Sequence, residues 1–457
     1  MINIVINKER VNIRESVYSF YYLTKDIDEE ISYSVTEKEG YTNIFYGFDD
    51  NNSYGIHIPC FFNKNYHVAF SSFEDTYFMH DKGEAEKPYT INEKGVIFGF
   101  DIAYSTFYLL TCKEEYEISK RDDKERFLAN FSYRKDYIDV PFVQVNQQIL
   151  YKALEGINYK LKLLKREFEV FLTHDVDSIN SRDKYVFLHN AKDLLTNRNK
   201  KFSQRLNTLI KEIVKNQHLQ IMNYYDIEKS FGARSEFYFI QGKEHRLGKR
   251  YELDKIKPML DKITAEGWIC GIHTNFFSYK DTNSIKEEIN SIERVTERKV
   301  ISCRNHYLRF ETPTTWHCLS DAGIRCDSTT GYSDRNGLRA GTIRGFVPFD
   351  INSGELINLY EVPLIVMDGI VMETNASLEE KWQQVKKMLE LCYEYKGSAS
   401  VLWHQRMTCY ADYKEIYIRI LQFVKDKGGK FTTSDQYINS LQKEYSEILA
   451  IIEKLQK

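Results

Sequence analysis

The sequence predicts an α/β protein in which a distorted (β/α) barrel, residues 165–440, follows a strand-rich α+β domain, residues 1–160. Two patterns indicate this division. Short alternating runs rich in Tyr and Phe fill the first 135 residues, whereas apolar strands followed by amphipathic helices repeat after residue 165. A chain of 457 residues with 42% hydrophobic content can bury the two or three cores that such a division requires.

The N-terminal domain is predicted from three alternating runs, Ile2–Ile6, Tyr41–Phe48 and Tyr54–Phe62. Between the last two, residues 49–52 are two Asp and two Asn, which are typical of a hairpin loop. The apolar pattern then predicts two helices, over residues 101–116 and over Phe142–Leu164, the second of which leads into the barrel.

The barrel is predicted from eight apolar segments whose starts, beyond the first gap, lie roughly 23–43 residues apart. This spacing accommodates one strand, one helix and two loops, so the eight units indicate a parallel barrel, distorted or incomplete. The candidate strands are Phe168–Thr173, Glu236–Ile240, Trp268–His273, Val300–Cys303, Gly323–Cys326, Leu356–Val362, Ala399–His404 and Lys430–Thr432.

A basic insertion over residues 181–219 explains the long first gap. It is predicted to be helical and carries nine Lys or Arg residues against three Asp or Glu. Such a segment is either a solvated helical face or a local basic surface for an anionic substrate or for membrane headgroups. Residues 441–457 are predicted to form a C-terminal amphipathic helix packed on the barrel.

Charge and composition exclude several classes of function. A net charge of −3 and a pI near 6.5 argue against nucleic acid or an anionic membrane as a global partner. The sequence has no Gly-rich phosphate loop, no apolar leader and no window of 18 uninterrupted apolar residues. Its eight cysteines form no C-x-x-C pair, which is typical of reduced thiols, and we therefore expect a cytoplasmic protein without transmembrane segments.

Two aspartates mark the end of the first barrel strand. The apolar run 170–172 is followed by Asp175 and Asp177, whose side chains point the same way if the strand stays extended. Two carboxylates in an apolar setting repel each other unless a cation or a shared proton compensates them. The alternative is a strand that runs into a turn with both carboxylates solvated.

Polar residues also end three other predicted strands. His273 ends the third, Arg304 and His306 end the fourth, and His404 ends the seventh. A single histidine in such a position is more often structural than catalytic. Because the carboxyl ends of parallel barrel strands share one mouth, where barrel enzymes carry their chemistry, the whole set indicates a functional site.

These residues resemble the polysaccharide deacetylase superfamily, the carbohydrate esterase family 4 type, over about residues 165–440. The matching motifs occur in the family's order: Thr173–Asp177, Gly271–Thr274, the segment that opens at Arg304, and Leu402–His404. Features within residues 304–350 are similar to a bacterial subgroup that carries an extra, uncharacterised N-terminal domain, which would account for residues 1–160.

The resemblance implies a divalent metal ion, expected to be zinc, held by Asp177 and His273. The family's usual second motif, His-Ser/Thr-x-x-His, supplies two histidine ligands, but its second histidine position is Phe277 here. Zinc sites of this kind need three protein ligands, and we expect His306 to be the third. The alternative is that His306 supports a ligand or contacts substrate. Without a third ligand the barrel would be a catalytically inactive carbohydrate binder.

The resemblance also implies roles for the remaining residues. Asp175 is the expected general base and Arg304 keeps it ionised, while His404 protonates the departing amine. The backbone N–H of Tyr307 is a candidate oxyanion donor. Either Glu361 or Asp368 could orient His404. Arg339 is expected either to contact an acidic sugar or phosphate or to form a salt bridge within its loop.

The function implied is removal of an N-acetyl group from an amino sugar in a polysaccharide or glycoconjugate intermediate. The expected partner is therefore an acetylated carbohydrate, and no nucleic acid is expected. An amidohydrolase acting on a non-sugar C–N bond is a second possibility, since the same Asp, His and metal apparatus could serve it. A non-catalytic sugar-binding barrel is the third.

Overall fold

The protein is described by a computed structural model that covers residues 1–48, 53–60, 66–73, 76–83, 87–179, 203, 219–372 and 374–457. Nearly all of the predicted basic insertion at 181–219, and the predicted hairpin loop at 49–52, lie outside the described residues. In the described part of the chain no helix is both long and apolar enough to cross a lipid bilayer.

The N-terminal region is strand-rich, and its main sheet has six strands in the order β2-β1-β3-β4-β8-β7. Every pairing in that sheet is parallel except that of β7 with β8, and β5 and β6 form a separate hairpin. The strands are β1 (Ile2–Ile6), β2 (Ile31–Ser34), β3 (Thr42–Tyr46), β4 (Gly55–Ile58), β5 (Val68–Phe73), β6 (Thr76–Asp81), β7 (Tyr89–Asn92) and β8 (Gly95–Phe98).

Four helices accompany this sheet: α1 (Ile13–Thr24), α2 (Ile102–Leu110), α3 (Glu114–Glu117) and α4 (Phe142–Gly156). Helix α1 begins where the Asn12 side chain accepts hydrogen bonds from the backbone N–H groups of Arg14 and Glu15, satisfying two otherwise unpaired donors. Helix α1 follows β1 directly and was not predicted, because its Tyr-rich and Phe-rich sequence is also typical of strands.

The predicted hairpin between β3 and β4 is wrong. The two strands pair in parallel, with Ile44 opposite Ile56 and Tyr46 opposite Ile58. The short alternating runs indicated where the strands lie, but not whether neighbouring strands run parallel or antiparallel. The predicted helix over residues 101–116 is divided into α2 and α3, and α4 ends at Gly156 rather than at Leu164.

In its described residues, the second part is a curled, parallel half-barrel of nine strands, which confirms the predicted fold class. The order is β16-β13-β12-β11-β10-β9-β18-β17. Strand β19 also pairs with β9, on the same edge as β10. The strands are β9 (Glu169–Val176), β10 (Glu236–Ile240), β11 (Ile269–Thr274), β12 (Ser302–Asn305), β13 (Cys326–Asp327), β16 (Tyr360–Glu361), β17 (Leu364–Met367), β18 (Ser398–Leu402) and β19 (Lys430–Thr432).

The sheet is open between its two end strands, β16 and β17, which are separated in sequence by only Val362 and Pro363. The predicted strand Leu356–Val362 is divided here. Its first residue pairs in the short antiparallel ribbon of β14 (Phe349–Asp350) and β15 (Glu355–Leu356), and its later residues form β16. Strand β17 was not predicted, because no helix separates it from β16.

Helices cover the half-barrel. They are α5 (Ile221–Phe231), α6 (Lys257–Ala265), α7 (Thr282–Thr296), α8 (Thr314–Ala322), α9 (Asp368–Met372), α10 (Leu378–Glu394), α11 (Ala411–Asp426) and α12 (Ser434–Gln456). The C-terminal helix α12 begins earlier than predicted and joins both parts of the chain. Its Tyr437 ring stacks on Tyr360 of β16, while its Glu444 accepts a hydrogen bond from Tyr22 of α1 (2.8 Å).

The two parts share one hydrophobic core and also a buried polar interface. In this interface Arg134 pairs with Glu114 (2.9 Å) and also donates to the backbone carbonyl of Leu338 in the half-barrel (3.1 Å). Arg339 forms two 2.7 Å hydrogen bonds to the carboxylate of Glu115 and is only 2% exposed. This ion pair therefore crosses from the half-barrel to α3, and both partners are removed from water.

We expect Glu115→Gln to lower the free energy of unfolding by about 3 kcal/mol or more, because it leaves the Arg339 cation buried without a counter-charge. Urea unfolding followed by circular dichroism measures the change. Glu379→Gln, which removes an exposed partner of Arg419, is the matched control and should leave stability unchanged. Equal stability of the two variants would contradict the interpretation of this interface.

Candidate metal centre and active site

The strand-end residues converge as the parallel topology requires. Asp175 lies one residue before the end of β9, opposite Tyr238 of β10, and His273 of β11 lies opposite Arg304 of β12. His404 follows β18, the neighbour of β9 on its other side. The carboxyl ends of these strands lie at one edge of the sheet, so the structure brings together the side chains of Asp175, Asp177, His273, Arg304, His306 and His404.

Asp177, His273 and His306 form a group that could hold a metal ion. Their ligand atoms all lie within 4.8 Å of one another. Asp177 Oδ1 lies 3.5 Å from His273 Nε2 and 3.4 Å from His306 Nε2, and it is a buried oxygen without a hydrogen-bond partner among the described residues. Two ligands about 2.1 Å from a tetrahedral ion are roughly 3.4 Å apart, so the three residues fit a zinc-type cation.

Backbone carbonyls fix the tautomer of both histidines. His273 Nδ1 lies 2.9 Å from the carbonyl oxygen of Arg304, and His306 Nδ1 lies 3.1 Å from that of Leu247. Carbonyl oxygens only accept, so each Nδ1 carries the proton and each Nε2 is left with a lone pair facing Asp177. This is the arrangement that metal-binding histidines require. Leu247 was not identified from sequence, because a carbonyl contact leaves no side-chain signature.

The electrostatics favour a ligand-competent state. Burial raises the pKa of the Asp177 carboxyl, but the neighbouring His273 and His306 outweigh it and hold that pKa well below its usual range. Burial lowers the pKa of His306, which keeps its imidazole neutral. Burial also works against a charged His273, but Asp175 and Asp177 raise its pKa. A cation bound among the three groups would compensate the carboxylates of Asp175 and Asp177 in place of the extra proton on His273.

Asp175 lies beside this group and is held by Arg304. Its Oδ1 is 3.3 Å from Arg304 Nη1 and its Oδ2 is 3.6 Å from His273 Nε2. Arg304 is completely buried and also donates to Thr173 Oγ1 (2.6 Å) and to the carbonyl of Ser328 (3.0 Å). These contacts fix the position of the guanidinium. Asp175 therefore has the Arg304 cation beside Oδ1 and the candidate metal ligand His273 beside Oδ2.

His404 closes the opposite side of the site. Its Nδ1 lies 2.7 Å from Asp368 Oδ1, its backbone N–H donates to Asp368 Oδ2 (2.9 Å), and its Nε2 faces Asp177 Oδ2 at 3.9 Å. Burial disfavours the charged imidazole, but Asp368 more than compensates and raises the pKa of His404 to about 9. At neutral pH His404 is therefore an imidazolium whose free Nε2–H points into the site.

Of the two acids that the sequence offered as partners of His404, the structure places Asp368 there and Glu361 elsewhere. Glu361 is fully buried and accepts hydrogen bonds from Trp316 Nε1 (2.8 Å) and Thr330 Oγ1 (2.6 Å). Asp368 begins α9 directly after β17, the strand that the sequence did not reveal. Locating that strand would have identified Asp368 as another strand-end acid.

Two further predicted residues have distinct surroundings. Tyr307, which follows His306, has a left-handed backbone (φ 62°), and so does Leu308 (φ 55°). The ring centroid of Tyr307 lies 4.5 Å from that of His306. Arg339 forms the buried pair with Glu115 of α3 described above, which is neither a salt bridge within its own loop nor a contact directed at substrate. The structure adds Arg250, which donates to the carbonyl oxygen of Asp177 (3.0 Å).

Comparison with solved structures finds proteins that align over most of their own length, but with low TM-scores and low sequence identity. A candidate polysaccharide deacetylase from Mycobacterium smegmatis aligns with a TM-score of 0.43 and 12% identity, covering 62% of this chain and 93% of its own. Puue allantoinase gives 0.40 and 11%, covering 58% and 86%. A candidate polysaccharide deacetylase from Pseudomonas aeruginosa PAO1 gives 0.40 and 11%, covering 60% and 90%.

Comparison at the level of sequence is informative only for the N-terminal region. No curated protein matches the chain. Residues 4–159 match the model of one family, which is described as a family of unknown function (DUF7033).

Proposed function

We propose that this chain is a divalent-metal-dependent hydrolase that removes the N-acetyl group from an amino sugar of a polysaccharide or glycoconjugate intermediate. The observation that carries the proposal is the buried, unpartnered Oδ1 of Asp177 facing His273 and His306, with Asp175 and His404 beside them. These three ligands would hold the ion, for which zinc is the best fit to two imidazoles and one carboxylate. When bound, the ion supplies an activated water and polarises the acyl carbonyl.

Proton transfer is assigned to Asp175 and His404. Asp175 receives the proton of the attacking water at Oδ2, because its Oδ1 is engaged with Arg304. The buried Arg304 cation lies 3.3 Å from Asp175 Oδ1 and compensates the charge of the carboxylate that acts as the base. His404 delivers the proton on its Nε2 to the leaving amine nitrogen, and the Tyr307 N–H is the proposed donor to the developing oxyanion.

The two proton-transfer groups approach different ligands of the candidate metal site, which suits amide cleavage. Asp175 contacts His273, whereas His404 faces the other oxygen of Asp177. Because the base and the acid are different residues, one can take the proton of the attacking water while the other donates a proton to the departing amine. The raised pKa of His404, due to Asp368, supports the role of acid.

Acetate release from a panel of substrates tests the proposal. Zinc-loaded full-length protein is incubated with N-acetylated sugars, nucleotide-linked N-acetyl sugars and small non-sugar amides, and the acetate and ammonia released are measured. We expect acetate from an N-acetyl sugar, with loss on chelation and recovery with zinc. Hydrolysis of the non-sugar amides alone would replace the sugar assignment with amidohydrolysis. Absence of stoichiometric zinc together with absence of hydrolysis would indicate a catalytically inactive binding barrel.

The pH dependence of activity should report the Asp368–His404 pair. His404 must be protonated to act as an acid, so kcat falls as the pH rises through its folded-state pKa. In Asp368→Asn the carboxylate that raises this pKa is lost, and the alkaline limb of the kcat profile should move to lower pH. Asp350→Asn, which affects the exposed His317, is the matched control. An alkaline limb that does not move in Asp368→Asn would rule out His404 as the titrating acid.

A further inference from the structure

An aromatic ridge lies beside the candidate metal ligands. It consists of Phe277, Phe276 and Tyr307, in which the Phe276 ring lies 5.4 Å from Phe277 and 5.6 Å from Tyr307. Tyr307 in turn lies 4.5 Å from the ring of His306. Phe277 is 45% exposed. Phe276 and Tyr307 are half-buried, so Phe277 is the ring of this ridge that offers a stacking surface for a sugar ring beside the candidate hydrolytic centre.

A lysine lies at each end of this ridge. The ammonium nitrogen of Lys243 is 5.0 Å from the centroid of the Phe277 ring, and that of Lys124 is 5.8 Å from the centroid of Tyr307. Among the described residues Lys243 has no carboxylate partner, whereas Lys249 in the same loop is paired with Glu252. Of the carboxylates in the part of the chain that the structure describes, Lys124 pairs with Asp123 alone (3.3 Å), a side chain 79% exposed, where water screens the pair.

The other acids near Lys124 are engaged elsewhere. Asp122 binds Arg126 (2.7 Å), and Glu125 binds Arg309. Neither carboxylate therefore neutralises the Lys124 ammonium directly. The ammonium groups of Lys243 and Lys124 therefore lie over the two end rings of the ridge, and among the described residues neither has a buried carboxylate partner.

The position of Lys124 is fixed from the half-barrel, although this residue belongs to the N-terminal region. Its backbone carbonyl accepts a hydrogen bond from Arg309 Nε (3.0 Å), and Arg126 Nη1 approaches the carbonyl of Tyr307 (3.4 Å). Glu125 also accepts a hydrogen bond from Tyr279 (2.9 Å). The segment 122–126 is thus bound to the turn that follows the metal ligand His306, and it forms one wall beside the ridge.

We propose that the ridge and its two lysines form a subsite for an anionic group on the sugar substrate, either a phosphate or a carboxylate, and that the N-terminal region completes this subsite through Lys124. The inference rests on the proposed hydrolysis of an N-acetyl sugar and specifies its substrate class. An aromatic face accepts the apolar side of a sugar ring, and an ammonium group at its end pairs with a charge carried next to that ring. This assigns a role in specificity to residues 122–126.

Specificity constants test the subsite. For the zinc-loaded full chain, kcat/KM is measured for N-acetylglucosamine 1-phosphate, for an N-acetylated disaccharide containing a uronic acid, and for a neutral N-acetylglucosamine oligomer. We expect an anionic sugar to be preferred, and Lys124→Ala and Lys243→Ala each to reduce the anionic-to-neutral ratio about tenfold, mostly through KM. The two anionic arms distinguish phosphate from carboxylate. Lys120→Ala, from the same loop but packed over Phe131 (4.6 Å), should keep the ratio of the unaltered protein.

A binding measurement separates failure of the subsite from failure of the proposed function. Isothermal titration compares glucosamine 1-phosphate with glucosamine on the zinc-loaded protein and on the Lys124→Ala variant. If no sugar releases acetate, the proposed function fails, and preferential binding of the phosphorylated sugar that Lys124→Ala weakens would still support the subsite. A neutral sugar preferred in both assays, or an anionic preference unchanged in both lysine variants, would overturn it.

Discussion

The His306→Ala protein is expected to bind zinc more than about 100-fold more weakly than the unaltered protein and to lose nearly all hydrolytic activity. Residues that only support a metal ligand typically contribute 10–100-fold to affinity, and His306 is proposed to be one of just three ligands. The loss should be large because Phe277, four residues after His273, has no ligand atom that could replace the His306 imidazole. Metal content after dialysis, measured by atomic emission, gives the result directly.

The control for this prediction is His317→Ala, which removes a half-exposed histidine paired with Asp350. That variant should retain the zinc content of the unaltered protein. Full zinc occupancy in His306→Ala would remove His306 from the ligand set. In that case its short distance to Asp177 would reflect support of the site or contact with substrate.

Asp175→Asn is expected to retain zinc but to lower kcat by about 10²–10⁴-fold, the usual contribution of a positioned general base. The amide has nearly the shape of the carboxylate, so the Arg304 contact can partly persist, but the group no longer accepts a proton from water. Steady-state kinetics and metal content together distinguish a base from a ligand.

Asp226→Asn, on the exposed side of α5, provides the matched control and should keep full activity. An Asp175→Asn enzyme with unchanged kcat would refute the assignment of the base. Loss of zinc in this variant would instead identify Asp175 as a ligand, and the base would then have to be sought elsewhere at the barrel mouth.

Much of the candidate site could be predicted because parallel strands place their carboxyl ends together. Asp175, Asp177, His273, Arg304 and His404 each end an apolar run, and the run itself is visible in the sequence. Their convergence then follows from topology alone, with no knowledge of distances.

What could not be predicted depended on backbone contacts and on strand direction. The carbonyl that orients His306 belongs to Leu247, and any residue type can supply a carbonyl. Asp368 was left undecided because β17 follows β16 without an intervening helix. In the N-terminal region the parallel pairing of β3 and β4 was missed because alternation has the same period in parallel and antiparallel strands.

The ion pair between Arg339 and Glu115 restricts how the sequence of such a protein can change during evolution. If a half-barrel of this kind were joined to an N-terminal segment with a neutral residue at position 115, it would enclose an uncompensated cation, and the recombinant would be selected against. Acid at 115 and arginine at 339 should therefore change together among relatives, and the two segments should be inherited as a unit.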